Sequence, residues 1–372
     1  MCLTTDGASN MTLCSTMMEI RQSHCIAQAL NLVVKKSMKL TPGLEEVRTK
    51  ARGIATHFRT SIVARERLLC LQKQMGAPCA KLIQEVETRW NSTLDMLQRL
   101  YKQREPVGAA LAYLQTDISP LTSNQYASIG QCIALLAPLK EATVELSAEK
   151  HVSGSKIIPM VKMLRHTIAA KQRQLTDDTA RILGKHLLGL MHEKLGNYEL
   201  AGQHALATLL DPRFKTMGFC NPTNQQNAIK KLIAETATVI RQQSPAPSHD
   251  ETPSTSEDAP SVSDSSGLWD LLDTQVFEKR TVRSVSADAT VETTRYLAEP
   301  NIPRSEDPLK YWVKHKHVYP HLFVLSRNLL CIPASSVPCE HVFSKAGEIV
   351  STKRKRLNPN TVEKIVFLNK NQ

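Results

Sequence analysis

A helical pattern of apolar residues runs almost without interruption from about residue 42 to residue 240, and it limits the middle of the chain to an all-α architecture. Prolines at 106, 120, 212 and 222 punctuate this pattern, because proline lacks a backbone donor and ends most helices. We therefore predict an α-helical domain over residues 41–241. Its candidate helices cover residues 45–59, 64–74, 91–103, 124–147, 154–174, 177–193 and 225–241.

The first 40 residues combine strand, turn and helix patterns. Residues 2–5 favour a short strand, and residues 6–10 have the polar composition of a turn and a helix cap. Residues 11–20 have helical character, and residues 24–38 repeat apolar side chains at helical spacing. Residues 1–40 are therefore predicted to be part of an α/β domain.

Residues 242–267 are rich in Ser, Pro, Thr, Asp and Glu, and this composition predicts a disordered linker. Eight acidic residues and no Lys or Arg lie between Gln242 and Glu278. Such a segment buries too little apolar surface to offset the entropy lost on ordering. A solvated tether is the simplest role, with shielding of the basic C-terminal region as the alternative.

The C-terminal region, residues 268–372, returns to a helical pattern. Two helices are predicted over residues 268–277 and 287–298. Several later helix starts are marked by N-cap residues or by proline at the first helical position, and Gly347 is expected to end one of these helices. These starts are Asp307-Pro308, Pro320, Ser335-Ser336 and Asn358-Pro359.

Charge and cysteine content limit the functional classes. The net charge is +12, which favours polyanionic partners such as nucleic acid, and eleven Lys or Arg against three Glu lie between Pro308 and Gln372. The nine cysteines are scattered without a C-x-x-C pair, which argues against disulfides or structural zinc and for a reducing compartment. No apolar run reaches 18 residues, so a membrane location is not expected.

Five sequence blocks occur in an order that resembles hAT-family DNA transposases and the host proteins derived from them, the BED zinc-finger group. The blocks are TTDGASNM with Asp6, SHCIAQALNLVV with Cys25, TRWNS with Trp90, ATLLDPRFK at 207–215 and SSVPCEHVFSKAG with Glu340. The last stretch, 307–371, resembles the C-terminal dimerisation region of that family. The resemblance implies an RNase H-like core interrupted by an α-helical insertion and closed by the helical dimerisation region.

The resemblance also implies a catalytic site with vestigial residues. Asp6 and Glu340 match the second and third acids of a triad that holds two Mg²⁺ ions for displacement at phosphorus. Only five residues precede Asp6, Gln28 replaces the histidine of a Cys-x-x-His segment, and His341 stands where an arginine is usual. We therefore expect a truncated core, no catalytic activity and no cofactor. Asp6 and Glu340 would bind Mg²⁺ only with an upstream aspartate.

Each candidate site residue also has a structural interpretation. Asp6 suits a turn, and Glu340 suits a first-turn acid that complements the helix dipole. Trp90 matches a tryptophan that stacks on a flipped base, but a core tryptophan is equally expected. The run Lys353, Arg354, Lys355, Arg356 would contact phosphates or direct nuclear import, or would simply be solvated.

A set of large apolar side chains in the C-terminal region predicts a dimer interface. One interpretation docks them on the N-terminal core, and another places them between two chains, with different residues serving each purpose. The set comprises Tyr311, Trp312, Phe323, Leu325, Leu329, Phe343, Val362, Ile365 and Val366.

These observations predict a domesticated or truncated, transposable element-derived nuclear protein. Its expected activity is homodimerisation or higher self-association in a DNA-associated setting, with transcriptional regulation as one such role. DNA binding is expected to be weak or non-specific, because no C-x-x-C with paired histidines provides a BED finger. Two alternatives stay open: an active transposase with a missing N-terminus, and SUMO ligase activity as in some BED-type relatives.

Overall fold

The computed structural model describes residues 2–114, 116–243, 285–350 and 357–371. Its only described strands are β1 (Cys2–Thr5) and β2 (Arg21–His24), which pair in parallel with Cys2 opposite Arg21 and Thr5 opposite His24. Helix α1 (Ser9–Met17) forms the crossover. The turn after β1 requires glycine, because Gly7 has a φ of 79° and an added Cβ would lie 2.9 Å from His24 Nδ1.

Eight helices pack around one apolar core, called the first core below. Leu30, Ile54, Leu97, Leu135 and Leu183 are fully buried there, which places the apolar faces predicted from helical spacing in contact. The helices are α2 (Ile26–Lys39), α3 (Pro42–Thr60), α4 (Ile62–Gln74), α5 (Trp90–Lys102), α6 (Arg104–Leu114), α7 (Ser123–Leu146), α8 (Ile157–Gln172) and α9 (Asp178–Leu195).

A second core joins the end of the predicted insertion to the C-terminal region. Trp312, Tyr296 and Tyr319 are its largest fully buried side chains, and they pack against apolar residues that include Leu209 and Leu210. The helices of this second core are α10 (Gly202–Leu210), α11 (Pro222–Gln243), α12 (Val285–Ala298), α13 (Pro308–His315) and α14 (Pro320–Leu330).

The last two described helices, α15 (Val337–Ile349) and α16 (Pro359–Asn371), form what we call the terminal helix pair. The prediction that Gly347 ends α15 is wrong, because the helix continues to Ile349. The predicted cap also differs, since the Ser336 hydroxyl donates to the Glu340 carboxylate instead of accepting from a backbone N–H. The start of α16 after Asn358 is confirmed.

The mainly helical architecture is confirmed, with two helices that the sequence pattern did not predict. Pro106 was interpreted as a breaker, but it lies in the first turn of α6, where proline is tolerated. Helix α10 is buried on nearly all sides, so its apolar residues show no helical period. The RNase H-like core stays a prediction, and most of the predicted linker and the 268–277 helix lie outside the described residues.

Candidate functional site

Asp6 lies in the turn at the end of β1, beside a cavity of about 410 Å³. Its carboxylate accepts a hydrogen bond from the Ala8 backbone N–H at 3.1 Å, as expected for a turn residue. His24, Gln28 and His204 also line this cavity. The Asp6 side chain therefore lies at the edge of this cavity. That position is compatible with the turn interpretation and with the catalytic interpretation.

Glu340 lies in the first turn of α15, where its carboxylate contacts the start of α2. Its Oε1 atom accepts from Gln28 Nε2 at 3.2 Å and from the Ser336 hydroxyl at 2.8 Å. The Ser336 backbone N–H donates to Cys25 Sγ at 3.3 Å. Glu340 lines a second cavity of about 480 Å³, together with Trp90 and other residues. Residues 312 positions apart thus meet at this junction.

The described residues do not fit a two-metal site. Asp6 and Glu340 line different cavities, and Gln28 is the residue that lines both. Glu340 Oε1 already accepts hydrogen bonds from Gln28 and Ser336, whereas a hard divalent cation needs oxygen atoms with lone pairs free to coordinate it. Among the residues that the structure describes, no group of three His, Cys, Asp or Glu is arranged to hold a metal ion. No step through Mg²⁺ follows from this geometry.

The second cavity has polar atoms without partners in its wall. Trp90 is 3% exposed and its indole Nε1 makes no hydrogen bond, and the same holds for Asn91 Oδ1 and Ser147 Oγ. All three residues line the cavity. Buried polar groups are usually satisfied, so this cavity suits a polar ligand or ordered water. The stacking of Trp90 on a base stays a prediction, and its burial in the first core agrees equally with the structural interpretation.

The structure adds a buried histidine that sequence reasoning missed. His204 is 1% exposed, and its Nε2 lies 2.8 Å from the Ser23 hydroxyl. Burial lowers the pKa of His204 to about 4, so the ring is neutral at pH 7. This pair ties β2 to α10, and His204 also lines the first cavity. A histidine in a mostly apolar helix is the sequence signal for it.

The ATLLDPRFK block supports the junction between the cores. The fully buried Asp211 carboxylate accepts from the Ser155 hydroxyl at 2.6 Å and from Arg213 Nη2 at 2.7 Å. Gly154 lies beside this contact, and an added Cβ would lie 2.3 Å from the Ile332 carbonyl oxygen. The block therefore joins the end of α10 to the turn before α8, and Gly154 in that turn packs closely against the segment after α14.

Lys215 ends the same block and reaches into the second core. Its Nζ donates to the backbone carbonyls of Tyr296 at 2.6 Å and Glu299 at 2.9 Å. Burial lowers the pKa of Lys215 to about 8, although Glu299 raises it. The backbone φ of 43° is uncommon for a residue other than glycine. The contacts on Lys215 hold it in this conformation.

Five of the nine predicted dimerisation residues contact the chain's own second core. Trp312 is 1% exposed and donates its indole N–H to the Leu210 carbonyl at 2.8 Å. The Tyr311 hydroxyl donates to Glu299 Oε2 at 2.6 Å. Leu325 and Leu329 are also buried in this core, and Phe323 packs against it. They dock on α10 and α11, within the predicted insertion, and not on the N-terminal core that the docking interpretation named, because the apolar residues of α10 form the surface that receives them.

The other four predicted residues belong to the terminal helix pair. Phe343 is 74% exposed, whereas Val362, Ile365 and Val366 are half-buried along one face of α16. Phe367 and Leu368, which are not among the nine predicted residues, are also exposed. The predicted phosphate-contact residues Lys353, Arg354, Lys355 and Arg356 lie outside the described residues.

Comparison with known proteins accounts for this division. Residues 292–372 match the hAT family C-terminal dimerisation region, which includes α13, α14 and the terminal helix pair. This chain is related to hAT transposases. Residues 23–132 match a ZBED1 RNase-like helical domain, which begins in β2 and ends in α7. The hAT dimerisation region thus supplies both helices docked in the second core and helices with exposed apolar residues.

Three relatives that align with nearly all of this chain support the same relationship. The chain is 29% identical to human zinc finger BED domain-containing protein 4 over 93% of its length. It is 24% identical to mouse zinc finger BED domain-containing protein 6 over 93% of its length. It is 25% identical to a Zea mays protein named "Putative AC9 transposase" over 97% of its length. The chain spans 29%, 37% and 46% of these three relatives, so it corresponds to less than half of each.

Membrane insertion has no support among the described helices. None of them combines the length and the apolar composition that a bilayer crossing needs.

Proposed function

We propose that this chain forms a homodimer through the outer face of the terminal helix pair. The observation that supports this proposal is the exposure of Phe343, Phe367 and Leu368 within the match to the hAT dimerisation region. Monomeric soluble proteins rarely leave contiguous large apolar side chains in water. A second copy of the same pair is the partner that this family match favours.

The burial pattern separates an inner from an outer face of the pair. The half-buried apolar residues Val342, Ala346 and Ile349 share one face of α15 by i, i+4, i+7 spacing. The half-buried residues of α16 also share one face, at i, i+3, i+4 spacing. These two faces are available for contact between α15 and α16, which leaves Phe343 and Phe367 pointing away from it. A two-fold dimer would bury both rings of each chain, at about 1.5–3 kcal/mol per ring.

The sharpest test replaces one outer apolar residue by a charge. Phe367→Asp is expected to dissociate the dimer in light scattering and sedimentation over a range of concentrations. Val291→Asp is the matched control, because Val291 on α12 and Phe367 are both 66% exposed but only Phe367 belongs to the pair. A wild-type protein that stays monomeric at high concentration, or a dimer that tolerates Phe367→Asp and Phe343→Asp, would contradict the proposal.

We propose as a second function that the dimer associates with DNA in the nucleus, in a regulatory role. The supporting observation is the run of cations at residues 353–356, which lies between α15 and α16 in the chain. Dimerisation through the terminal helix pair would bring two such runs into one assembly. Phosphate contacts without base contacts give salt-sensitive, non-specific binding.

Fluorescence anisotropy with duplex DNA at several salt concentrations tests this second function. Replacing all four cations at 353–356 by Ala is expected to reduce the slope of log K against log salt by about 3–4 per chain. The matched control replaces four exposed cations on the helices that surround the first core by Ala. These are Arg59, Arg65, Lys73 and Lys185. Equal losses in both variants would indicate a net-charge effect and would contradict a specific role for the run.

A further inference from the structure

We infer that Gln28 and Glu340 form a hydrogen-bonded contact that fixes the terminal helix pair against the first core, in place of a metal-ligand role for Glu340. We call this the α2–α15 contact; it comprises Cys25, Gln28, Ser336 and Glu340. Its influence on dimerisation rests on the proposed function, whereas the contact itself does not.

The α2–α15 contact joins two helix starts that are far apart in sequence. Gln28 lies in the first turn of α2 and donates to Glu340 Oε1 at 3.2 Å, in the first turn of α15. The preceding residues extend the junction, since the Ile26 backbone N–H donates to the Ala334 carbonyl at 3.0 Å. The Thr4 hydroxyl likewise donates to the Pro333 carbonyl at 3.0 Å. The segment 333–336 therefore runs along the end of β1 and the start of α2.

The chemistry of the contact favours a positioning role. The amide nitrogen of Gln28 and the hydroxyl of Ser336 both donate to the same carboxylate oxygen, and hydrogen bonds to a charged acceptor are stronger than neutral ones. These two donors occupy the lone pairs of Glu340 Oε1, so a cation at that oxygen would have to displace one of them. A carboxylate in the first turn also complements the dipole of α15.

A second attachment makes the orientation of the pair depend on this contact. Lys370 near the end of α16 forms an ion pair with Glu149, in the segment after α7. Among the described residues of α15 and α16, none is fully buried, so packing alone holds the pair weakly. Both attachments are exposed, and the surface ion pair is the weaker of the two, so the angle of the pair to the first core depends mainly on the α2–α15 contact. That angle decides which way Phe343 and Phe367 face a second copy.

Hydrogen–deuterium exchange in a monomeric background tests the contact without relying on dimerisation. In full-length protein carrying Phe367→Asp, Gln28→Ala and Glu340→Ala are each expected to speed amide exchange in α15 by roughly three- to tenfold. The double variant is expected to exchange no faster than the faster single variant, because both changes remove one shared interaction. His341→Ala, a change at the adjacent exposed residue, serves as the control and is expected to leave α15 exchange unchanged.

Calorimetric titration of the wild-type chain with Mg²⁺ tests the alternative, in which Glu340 is a metal ligand. The inference expects no saturable heat that depends on Glu340. Stoichiometric Mg²⁺ binding that Glu340→Ala removes would overturn it, as would single variants that leave α15 exchange unchanged or a double variant with additive effects. If α15 exchange responds as expected but wild-type protein is monomeric, the contact stands and the proposed dimer fails.

Discussion

At the scale of single residues, Lys215 shows how a charged group can hold two parts of a helical protein together. The ammonium group donates to two backbone carbonyls and lies 4.4 Å from the centre of the Tyr296 ring. Cation–π attraction and the two hydrogen bonds offset part of the cost of burying the charge, and the remainder lowers the pKa of Lys215 to about 8. Lys215 therefore acts as a bridge from the end of α10 to the end of α12.

Replacement of Lys215 by Met is expected to destabilise the fold, because it leaves the carbonyls of Tyr296 and Glu299 without this donor. The loss should be about 1–3 kcal/mol in urea denaturation at pH 7. The wild type should also gain stability relative to the variant between pH 8 and 10.5, because burial lowers the folded pKa of Lys215 from 10.5 to about 8. In that range the unfolded state keeps a proton that the folded state has lost, so stability rises with pH. A difference independent of pH would show that the ammonium is not desolvated.

Glu85 provides the opposite case, a buried acid held by two cations. Its side chain is 3% exposed and accepts from Arg48 Nε at 2.9 Å and from the Thr93 hydroxyl at 3.1 Å. Burial alone would raise the pKa of Glu85, but hydrogen bonds and charges from Arg48 and Arg52 lower it below its ordinary value. These contacts fasten the irregular segment between α4 and α5 onto α3.

Glu85→Gln is expected to cost about 1–3 kcal/mol at pH 7, because it removes the buried charged acceptor that Arg48 and Arg52 share. Since the folded pKa is lowered, this stabilisation is complete above the unfolded value of about 4.5 and is lost as pH falls through the folded pKa. Denaturation curves of the wild type and of Glu85→Gln at pH 7 and pH 3 would check that the difference between their free energies of unfolding shrinks at low pH. Glu87→Gln, a change at an exposed acid in the same segment, should stay within about 0.5 kcal/mol of wild type.

At the scale of elements, the C-terminal match divides into helices that close a core and helices that face solvent. Tyr296 of α12 packs against Trp312 of α13 and against Tyr319, the N-cap residue of α14, with ring centroids of Tyr296 and Trp312 5.0 Å apart. The terminal helix pair contributes no fully buried residue among those described. The same family block therefore serves folding in its first half and exposure in its second.

Trp312→Ala should accordingly lower the free energy of unfolding by about 3–5 kcal/mol and leave the Leu210 carbonyl without its indole donor. Val313→Ala, at a 61% exposed position on the same helix, is the control and should change little. Chemical denaturation separates the two variants. A Trp312→Ala protein with wild-type stability and a lost dimer would instead place this tryptophan at the interface between chains.

Sequence patterns predicted elements better than the contacts between them. The helices with an apolar stripe and a polar face, such as α3 and α5, were predicted within a few residues. Helix α10 is not predicted, because its burial on nearly all sides removes the helical period of apolar residues. Helix α6 is not predicted, because Pro106 indicates a helix end in the sequence although it lies in the first turn of this helix. The pairing of Trp312 with Leu210, 102 residues apart, has no local signal at all. The candidate role of Glu340 follows from the family resemblance. The hydrogen bond that Gln28 donates to Glu340 has no sequence signal and is seen only in the structure.

At the scale of the whole molecule, dimerisation should make stability depend on protein concentration. Association that favours the folded state raises the midpoint of thermal unfolding as concentration increases. Differential scanning calorimetry over a hundredfold concentration range should show this rise for the wild type. Phe367→Asp should remove the dependence with the low-concentration midpoint preserved, whereas Val291→Asp should retain it. A midpoint that is constant for the wild type would argue against a stable dimer.

The second core also sets the order in which the chain can fold as it is made. Leu210 leaves the ribosome 102 residues before Trp312, its partner in the core. At about 5–20 residues per second, this separation corresponds to roughly 5–20 seconds of synthesis. During that interval the first core can form from helices that are close in sequence. The apolar side chains of α10 stay exposed to solvent over the same period and offer a binding site to molecular chaperones.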